Sequence, residues 1–393
     1  MQNDRIAPAM SAQEANGAGM TALRAQDYQA AIAAFERATQ LDPGALPLWC
    51  NLAHAHRLAG NIEAEGDALD RALAINQLDF SAQLRKAQWL QRKGKETAAL
   101  IAWHGVQQLV ERQELEVSPT VRAELDEGAA YCRKLQTRLE STADLLVAQG
   151  EKDWNETERR RIGAFVDRAL GRRAIFHNEC AGVHYPFLPA DEYFDRCHFP
   201  WFEELEAHTD VIRNELLGIM REPGEAIRPY VRMGEGVPEN KWSKLDASLD
   251  WGACFLWEYG VPNLPVHERC PETAALLSRL PILNIPNRGP SAFFSILRPH
   301  SHIPAHTGVT NTRAIIHRPL IVPPGCRFRV GGETREWIEG RAFAFDDTID
   351  HEAWNDSDEP RAILIIDAWN PHLSDAERKA VSDYFEKADL ALT

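Results

Sequence analysis

The chain has 393 residues, 26% charged and 44% hydrophobic, a globular balance with length for about two or three domains, each with its own core. Its 43 Lys and Arg against 58 Asp and Glu give a formal charge of −15, which opposes nucleic acid or an anionic membrane as the main partner. No apolar run approaches the ~18 to 20 residues that cross a bilayer. Met1 to Gly19 hold no apolar signal-peptide core, and seven scattered cysteines form no CxxC pair, so neither structural zinc nor a disulfide framework is expected and the location reads as cytoplasmic.

From the N-terminus, a period of 34 residues sets registers at Ala12, Leu46 and Phe80. One repeat position then holds Phe35, Leu69 and Trp103, another Ala38, Ala72 and Val106, and a third Gly19, Ala53 and Ala87. Gly60 and Gly94 fall together at the turn between paired helices, and Pro43 closes the first repeat. Small residues let two helices approach while large ones fill the space between them. This pattern, over residues 12–110, resembles the tetratricopeptide repeat, with Glu65 and Gln77 departing from its usual Ala and Pro. Such a stack serves either as a solvated structural element or as a concave surface for a peptide or protein. Residues 111–175 continue with apolar residues at helical spacing (Leu125, Ala129, Cys132, Leu135; then Ile162, Phe165, Val166, Leu170) and read as a helical connector.

At about Phe176 the pattern changes to short β runs between turns. Strands are expected at 292–297, 312–321, 327–330, 341–345 and 362–368, with Pro323-Pro324-Gly325 and Gly331-Gly332 as turns. Several strands without intervening helices indicate a double-sheet or closed β architecture over residues 176–390. The fold class is therefore α+β and multidomain: a tetratricopeptide-like superhelix followed by a double-stranded β-helix of the jelly-roll, cupin-like kind. Strand alternation puts Phe293, Ser295 and Leu297 on one face, Arg313, Ile315 and His317 on another, and Arg361, Ile363, Ile365 and Asp367 on a third. Polar groups thus recur on faces that otherwise read as buried, where each needs a partner or a ligand.

Six of the 14 histidines lie between residues 300 and 372. His306 follows Pro304, which stiffens its approach, and precedes Gly308, which leaves room beside it. His351 follows Phe345-Asp346-Asp347 at a strand-to-turn step, and Arg361 opens the apolar run Ala362 to Ile366. Neutral imidazole is a good ligand for iron, copper, zinc or nickel, so spacing alone does not name the metal. An arginine at the mouth of a buried strand suits a dicarboxylate, and the combination points to an iron enzyme that consumes 2-oxoglutarate. The usual oxygenase site adds a carboxylate two residues after the first His, but that position is Gly308. Either the third ligand comes from elsewhere, such as Asp347, or water fills the position.

The segments Pro299–Gly308, Phe345–Asp356 and Arg361–Pro371, with His184–Pro189, Phe199-Pro200-Trp201 and Glu215-Leu216-Leu217 upstream, closely resemble the aspartyl/asparaginyl β-hydroxylase family over residues 180–380. The resemblance implies Fe(II) held by His306 and His351, with water in the third place and Asp347 orienting it. It implies 2-oxoglutarate bound by Arg361 and Ser295 at the far carboxylate, with His317 at the other end and Arg313 among the cosubstrate-binding residues. O2 is the second cosubstrate. His302 and Asn311, beside the motifs, are given structural roles.

The implied reaction is hydroxylation of the β-carbon of an Asp or Asn residue in a peptide or protein, engaged in part through the repeats. One departure bears on the substrate. The family's Arg-x-Arg-x-His strand reads Arg313-Ala314-Ile315-Ile316-His317 here, and Phe293 stands where a cationic residue is also found. The same chemistry on a free amino acid or a lipid acyl chain therefore stays open, as does a repeat scaffold that has lost catalysis. Trp242, Trp251, Trp257 and Lys244, in the irregular stretch before the barrel, are expected to line the substrate entrance.

Overall fold

The computed structural model describes residues 10–150 and 152–392; the part of the leader reading that rests on residues 1–9 lies outside them. The chain divides into two compact units, Met1–Asp153 and Trp154–Thr393. The division falls within residues 111–175, which contribute one helix to each unit.

The first unit is a stack of helices: α1 (Ala12–Arg24), α2 (Tyr28–Leu41), α3 (Leu46–Leu58), α4 (Ile62–Ile75), α5 (Phe80–Arg92), α6 (Glu96–Arg112) and α7 (Pro119–Gly150). The 34-residue registers are the first residues of α1, α3 and α5, so each repeat is one helical hairpin. Ser11 starts α1 with a reciprocal capping box to Glu14, and Asp27 and Asp79 cap α2 and α5 with their carboxylates. Phe35, Leu69 and Trp103 are buried, as are Ala53 and Ala87 opposite them. The Phe35 ring fills the space beside Gly19, and Gly128 of α7 receives the Trp103 ring in the same way. Glu65, the departure from the repeat pattern, is buried and paired with Arg92 of α5 at 2.5 Å. Removing that partner would leave an uncompensated buried charge.

The second unit opens with α8 (Glu156–Ala169), held at its start by an Asn155–Glu158 capping box. Its strands are β1 (Tyr193–Phe194), β2 (Arg228–Pro229), β3 (Trp251–Glu258), β4 (Val261–Pro262), β5 (Ala292–Leu297), β6 (Ser301–His306), β7 (Arg313–Ile321), β8 (Cys326–Val330), β9 (Glu333–Glu336), β10 (Phe343–Phe345), β11 (His351–Asn355) and β12 (Arg361–Trp369). Helices α9 (Phe202–Ala207), α10 (Thr209–Arg221), α11 (Leu264–Arg269), α12 (Pro271–Arg279) and α13 (Asp375–Leu392) complete it.

The larger sheet runs β1-β10-β7-β12-β5-β3-β2 with β4 beside β3, and the smaller runs β6-β11-β8-β9. From β5 onward the chain crosses between sheets so that β5-β12-β7-β10 and β6-β11-β8-β9 form two antiparallel four-strand sets, the jelly-roll arrangement. Each sheet has an inner face, and the two share a core that includes Leu297, Ile315 and Phe345 from the larger and Ile303, Phe328 and Val330 from the smaller. The outer face of the larger sheet is covered by α9, α10 and α12 through Leu205, Ile212, Leu216, Leu276 and Leu277. That cover is why β5 and the Ala362–Ile366 part of β12 read as nearly continuous apolar runs. Among the described residues no helix is long and apolar enough to cross a membrane.

Candidate functional site

A cavity of about 680 Å³ opens between the inner faces of the two sheets. Its lining includes all seven residues singled out from sequence: Ser295, His306, Arg313, His317, Asp347, His351 and Arg361. They come from β5, β6, β7, β11, β12 and the turn before β11, brought together by strand register.

His306 ends β6 and His351 begins β11, and the two are paired in register with ring centroids 4.1 Å apart. Each Nδ1 faces a carbonyl two residues back, that of Pro304 at 2.8 Å and that of Ile349 at 3.0 Å. A carbonyl only accepts, so both Nδ1 atoms donate and both Nε2 atoms carry the lone pair that binds a metal. Burial, aided by His351, pushes His306 down to about 3, and burial pushes His351 down to about 4, so both rings are neutral.

Gly308 is shaped by Asp347. A Cβ at Gly308 would lie 2.1 Å from Asp347 Oδ2, so the carboxylate occupies the space that a side chain at 308 would take. Arg313 donates to Asp347 Oδ2 at 2.8 Å and lies 3.5 Å from Asp367 Oδ2. Burial works against the Arg313 cation, but the two carboxylates outweigh it and hold its pKa above the ordinary value. Arg313 is thus committed to two carboxylates. Among the described residues no cluster of three or more His, Cys, Asp or Glu is placed to hold a metal.

At the base of the cavity, Arg361 is 1% exposed, and among the described residues it has no carboxylate partner. It donates weakly to Ser295 Oγ at 3.3 Å, and its guanidinium lies 4.8 Å from the Trp337 ring centroid. Burial pulls its pKa down to about 10. Trp251 donates to Ser295 Oγ at 3.1 Å and so fixes that hydroxyl. Burial, with Arg361 beside it, holds His317 well below its ordinary pKa.

Among the described residues eight buried side-chain polar atoms lack a hydrogen-bond partner, and five line this cavity: Arg313 Nε, His317 Nδ1, Trp337 Nε1, Asp347 Oδ1 and Arg361 Nε. Orphaned polar atoms are rare in folded proteins, so five in one cavity mark a place built for ligands. The donor set suits both expected groups: a neutral imidazole pair for a divalent metal, and a buried, unpaired guanidinium for a carboxylate.

Some expectations about the surroundings need correction. Trp242 and Trp251 line the cavity, with Trp242 edge-on to His306 at 5.0 Å, but Trp257 and Lys244 do not. Trp251 and Trp257 both lie on β3 rather than in irregular chain. A register shift between Phe255 and Trp257 turns Trp257 to the outer face, where it packs against His267. The lysine near His306 is Lys241, which donates to the Ala305 carbonyl at 2.8 Å. His302 stacks on Trp354 and meets Glu352, and Asn311 ties down Tyr185 through both backbone groups, the structural roles expected of them. Sequence reading missed the parts played by Trp251, Trp337 and Asp367; for Asp367 the alternation with Arg361 was an available signal.

The profile of the aspartyl/asparaginyl beta-hydroxylase family matches residues 206–371, and that of a tetratricopeptide repeat matches residues 16–44. The ornithine lipid ester-linked acyl 2-hydroxylase of Rhizobium tropici is 32% identical over 201 residues, covering 50% of this chain and 67% of that protein. The chain belongs to the aspartyl/asparaginyl β-hydroxylase family. The human aspartyl/asparaginyl beta-hydroxylase is 32% identical over 186 residues, 46% of this chain and 24% of that protein. Human aspartate beta-hydroxylase domain-containing protein 2 is 30% identical over 204 residues, 51% of this chain and 53% of that protein. The chain thus matches about a quarter of the length of the human and mouse aspartyl/asparaginyl beta-hydroxylases.

Proposed function

We propose that the chain is an Fe(II)- and 2-oxoglutarate-dependent dioxygenase that hydroxylates a C–H bond. The observation that carries this reading is Arg361, a buried cation with no anion of its own, in the same cavity as a neutral histidine pair. A buried charge without a counterion is costly, and a carboxylate ligand removes that cost. Family membership supports hydroxylation as the reaction type.

Iron with the two cosubstrates supplies the oxidation: one atom of O2 enters the C–H bond as hydroxyl, the other enters succinate, and 2-oxoglutarate gives up two electrons and CO2. The chain's own residues do the positioning. His306 and His351 hold the metal. Arg361 and the Ser295 hydroxyl, itself aimed by Trp251, take the far carboxylate of 2-oxoglutarate, and His317 meets its other end. Asp347, held by Arg313, keeps Oδ1 available to accept a hydrogen bond from water at the position Gly308 leaves without a protein ligand. Arg313 therefore positions Asp347, and its unpartnered Nε remains a donor for a ligand in the cavity.

The β-carbon of an Asp or Asn residue is the substrate implied by the family, and the tetratricopeptide match supports a peptide or protein partner. The inner wall bears on that choice, because its cation is already neutralised. The test is anaerobic reconstitution with Fe(II), a 2-oxoglutarate titration, and then O2-dependent succinate formation with candidate substrates. Saturable 2-oxoglutarate binding and loss of iron in a His306→Ala/His351→Ala double variant are expected. No 2-oxoglutarate binding, with iron retained by the double variant, overturns the reading and leaves the inactive scaffold.

A further inference from the structure

Among the described residues three tryptophans are buried, and they differ in what their indole N–H meets. Trp103 donates to Gln91 Oε1 at 2.9 Å, and Trp251 donates to Ser295 Oγ at 3.1 Å. Trp337 is 6% exposed and lines the cavity, yet its Nε1 has no partner. A buried N–H that makes no hydrogen bond loses its hydration without return, so one kept in a cavity wall points to an acceptor on the ligand.

The contacts of the ring hold this N–H in place. Trp337 stacks on Phe328, with centroids 5.5 Å apart and planes at 23°. The Arg361 guanidinium lies over the ring, 4.8 Å from its centroid. An indole N–H lies in the ring plane, so contacts on the ring face leave it pointing out of the side of the stack. The His317 ring, assigned to the other end of the cosubstrate, is farther from Trp337, at 6.2 Å.

Ser295 has a donor to spare as well. Its Oγ accepts from Trp251 and, more weakly, from Arg361 Nη1. Two incoming bonds use both lone pairs of a hydroxyl, so its own proton is left to donate. Arg361 Nε is likewise without a partner. Donors from β5, from β12 and from the β9–β10 connection are thus grouped around one buried guanidinium. A carboxylate, with about four lone-pair positions, can accept from all three residues.

We propose that Trp337 binds the cosubstrate: its indole N–H donates to the far carboxylate of 2-oxoglutarate, alongside Arg361 and the Ser295 hydroxyl. The assignment rests on the dioxygenase reading for the identity of that carboxylate. It makes the indole one of the groups that select a 2-oxo diacid over the monoacid of the same length.

The test titrates the full chain, loaded anaerobically with Fe(II), with 2-oxoglutarate and with 2-oxopentanoate, which lacks the far carboxylate. Trp337→Phe keeps an aromatic ring against Phe328 and Arg361 and removes the donor. It is expected to weaken 2-oxoglutarate about 10- to 100-fold, the range for a hydrogen bond to a charged acceptor, and 2-oxopentanoate less than about threefold. Equal losses for the two acids would mean that the indole only supports the cavity wall, and they overturn the proposal. So does an unchanged affinity for 2-oxoglutarate. A second reading uses the unaltered chain with isotope-labelled indoles and Zn(II), a diamagnetic ion that imidazoles also bind, in place of Fe(II). The Trp337 N–H signal, identified by its proximity to the Phe328 ring, should move downfield with 2-oxoglutarate and not with 2-oxopentanoate. A signal that stays in place at saturating 2-oxoglutarate overturns the proposal and leaves the dioxygenase reading intact. Absence of any 2-oxoglutarate binding in the unaltered protein sinks that reading and the proposal with it.

Discussion

At the residue scale, Arg361 sets function against stability. Its guanidinium is buried without a carboxylate, so the ligand-free fold carries an uncompensated cation. Replacing buried charge with an apolar side chain of similar volume commonly stabilises a protein. Arg361→Met should therefore raise the stability of the metal-free protein by ~1 to 3 kcal/mol. The same change should weaken 2-oxoglutarate binding at least 30-fold, the scale expected when one member of a buried charge pair is removed. Thermal melts beside a 2-oxoglutarate titration check both signs; a destabilised variant that still binds would refute the role given to Arg361. A second residue offers a pH signature. Asp346 accepts from the Thr348 N–H and hydroxyl and from Asn178, yet burial outweighs these donors and pushes its pKa up from 3.8 to about 6. A raised carboxyl pKa means that the fold prefers the protonated acid. The associated stability is whole below pH ~4 and is lost as the pH rises through about 6. At ~1.4 kcal/mol per pKa unit the swing is about 3 kcal/mol. Asp346→Asn cannot titrate, so relative to it the unaltered protein should lose stability between pH 4 and 6.5 and then run parallel. A difference independent of pH across that range would show that Asp346 is not held protonated.

At the element scale, the helical stack is set by where small residues meet large ones. A Cβ on Gly128 would lie 2.4 Å from the Trp103 ring, whereas nothing stands within 4 Å of one on Gly105 of α6. Both glycines are inside helices, where alanine gains ~1 kcal/mol. Gly105→Ala should therefore stabilise by ~0.5 to 1 kcal/mol. Gly128→Ala should destabilise by ~1 to 2 kcal/mol, because overpacking outweighs the helix gain. Urea melts of the two variants compare them, and equal signs would refute the packing argument. The same physics decided what could be read from the sequence. Repeat registers at Ala12, Leu46 and Phe80 and the strand at 292–297 were legible because 3.6- and 2-residue periods are local. The seven site residues were legible as motifs, and strand register then gathered them from five strands and a turn. Trp257 was misplaced because its stretch read as irregular, whereas it lies on β3 beyond a bulge that changes the face it occupies. Trp337 left no local signal, since its place beside Arg361 depends on how the β9–β10 connection folds back over the cavity. Lys241 rather than Lys244 reaches Ala305 because its segment is irregular and carries no period from which a face could be inferred.

At the scale of the molecule, the two units have different chemistry and separate cores. Helical hairpins packed on their neighbours make the first, with Phe35, Leu69 and Trp103 in its interior. The second has a two-sheet core and all seven site residues. Ligand binding stabilises whatever binds it by RT ln(1 + [L]/Kd), about 2.7 kcal/mol at a hundredfold excess over Kd. For a unit of this size that corresponds to an upward shift of roughly 5 to 10 °C in its melting temperature. Calorimetry of the full chain should therefore resolve two transitions. Fe(II) with 2-oxoglutarate, under anaerobic conditions, should raise only the one belonging to Trp154–Thr393. Gly128→Ala should lower only the other, since Gly128 and Trp103 both lie in Met1–Asp153. The two perturbations are independent labels, one for each core. If both moved a single shared transition, the units would unfold as one cooperative body, and the repeats would contribute directly to the stability of the site. If the ligands moved the transition that Gly128→Ala lowers and left the other unchanged, the assignment of 2-oxoglutarate to the β unit would fail.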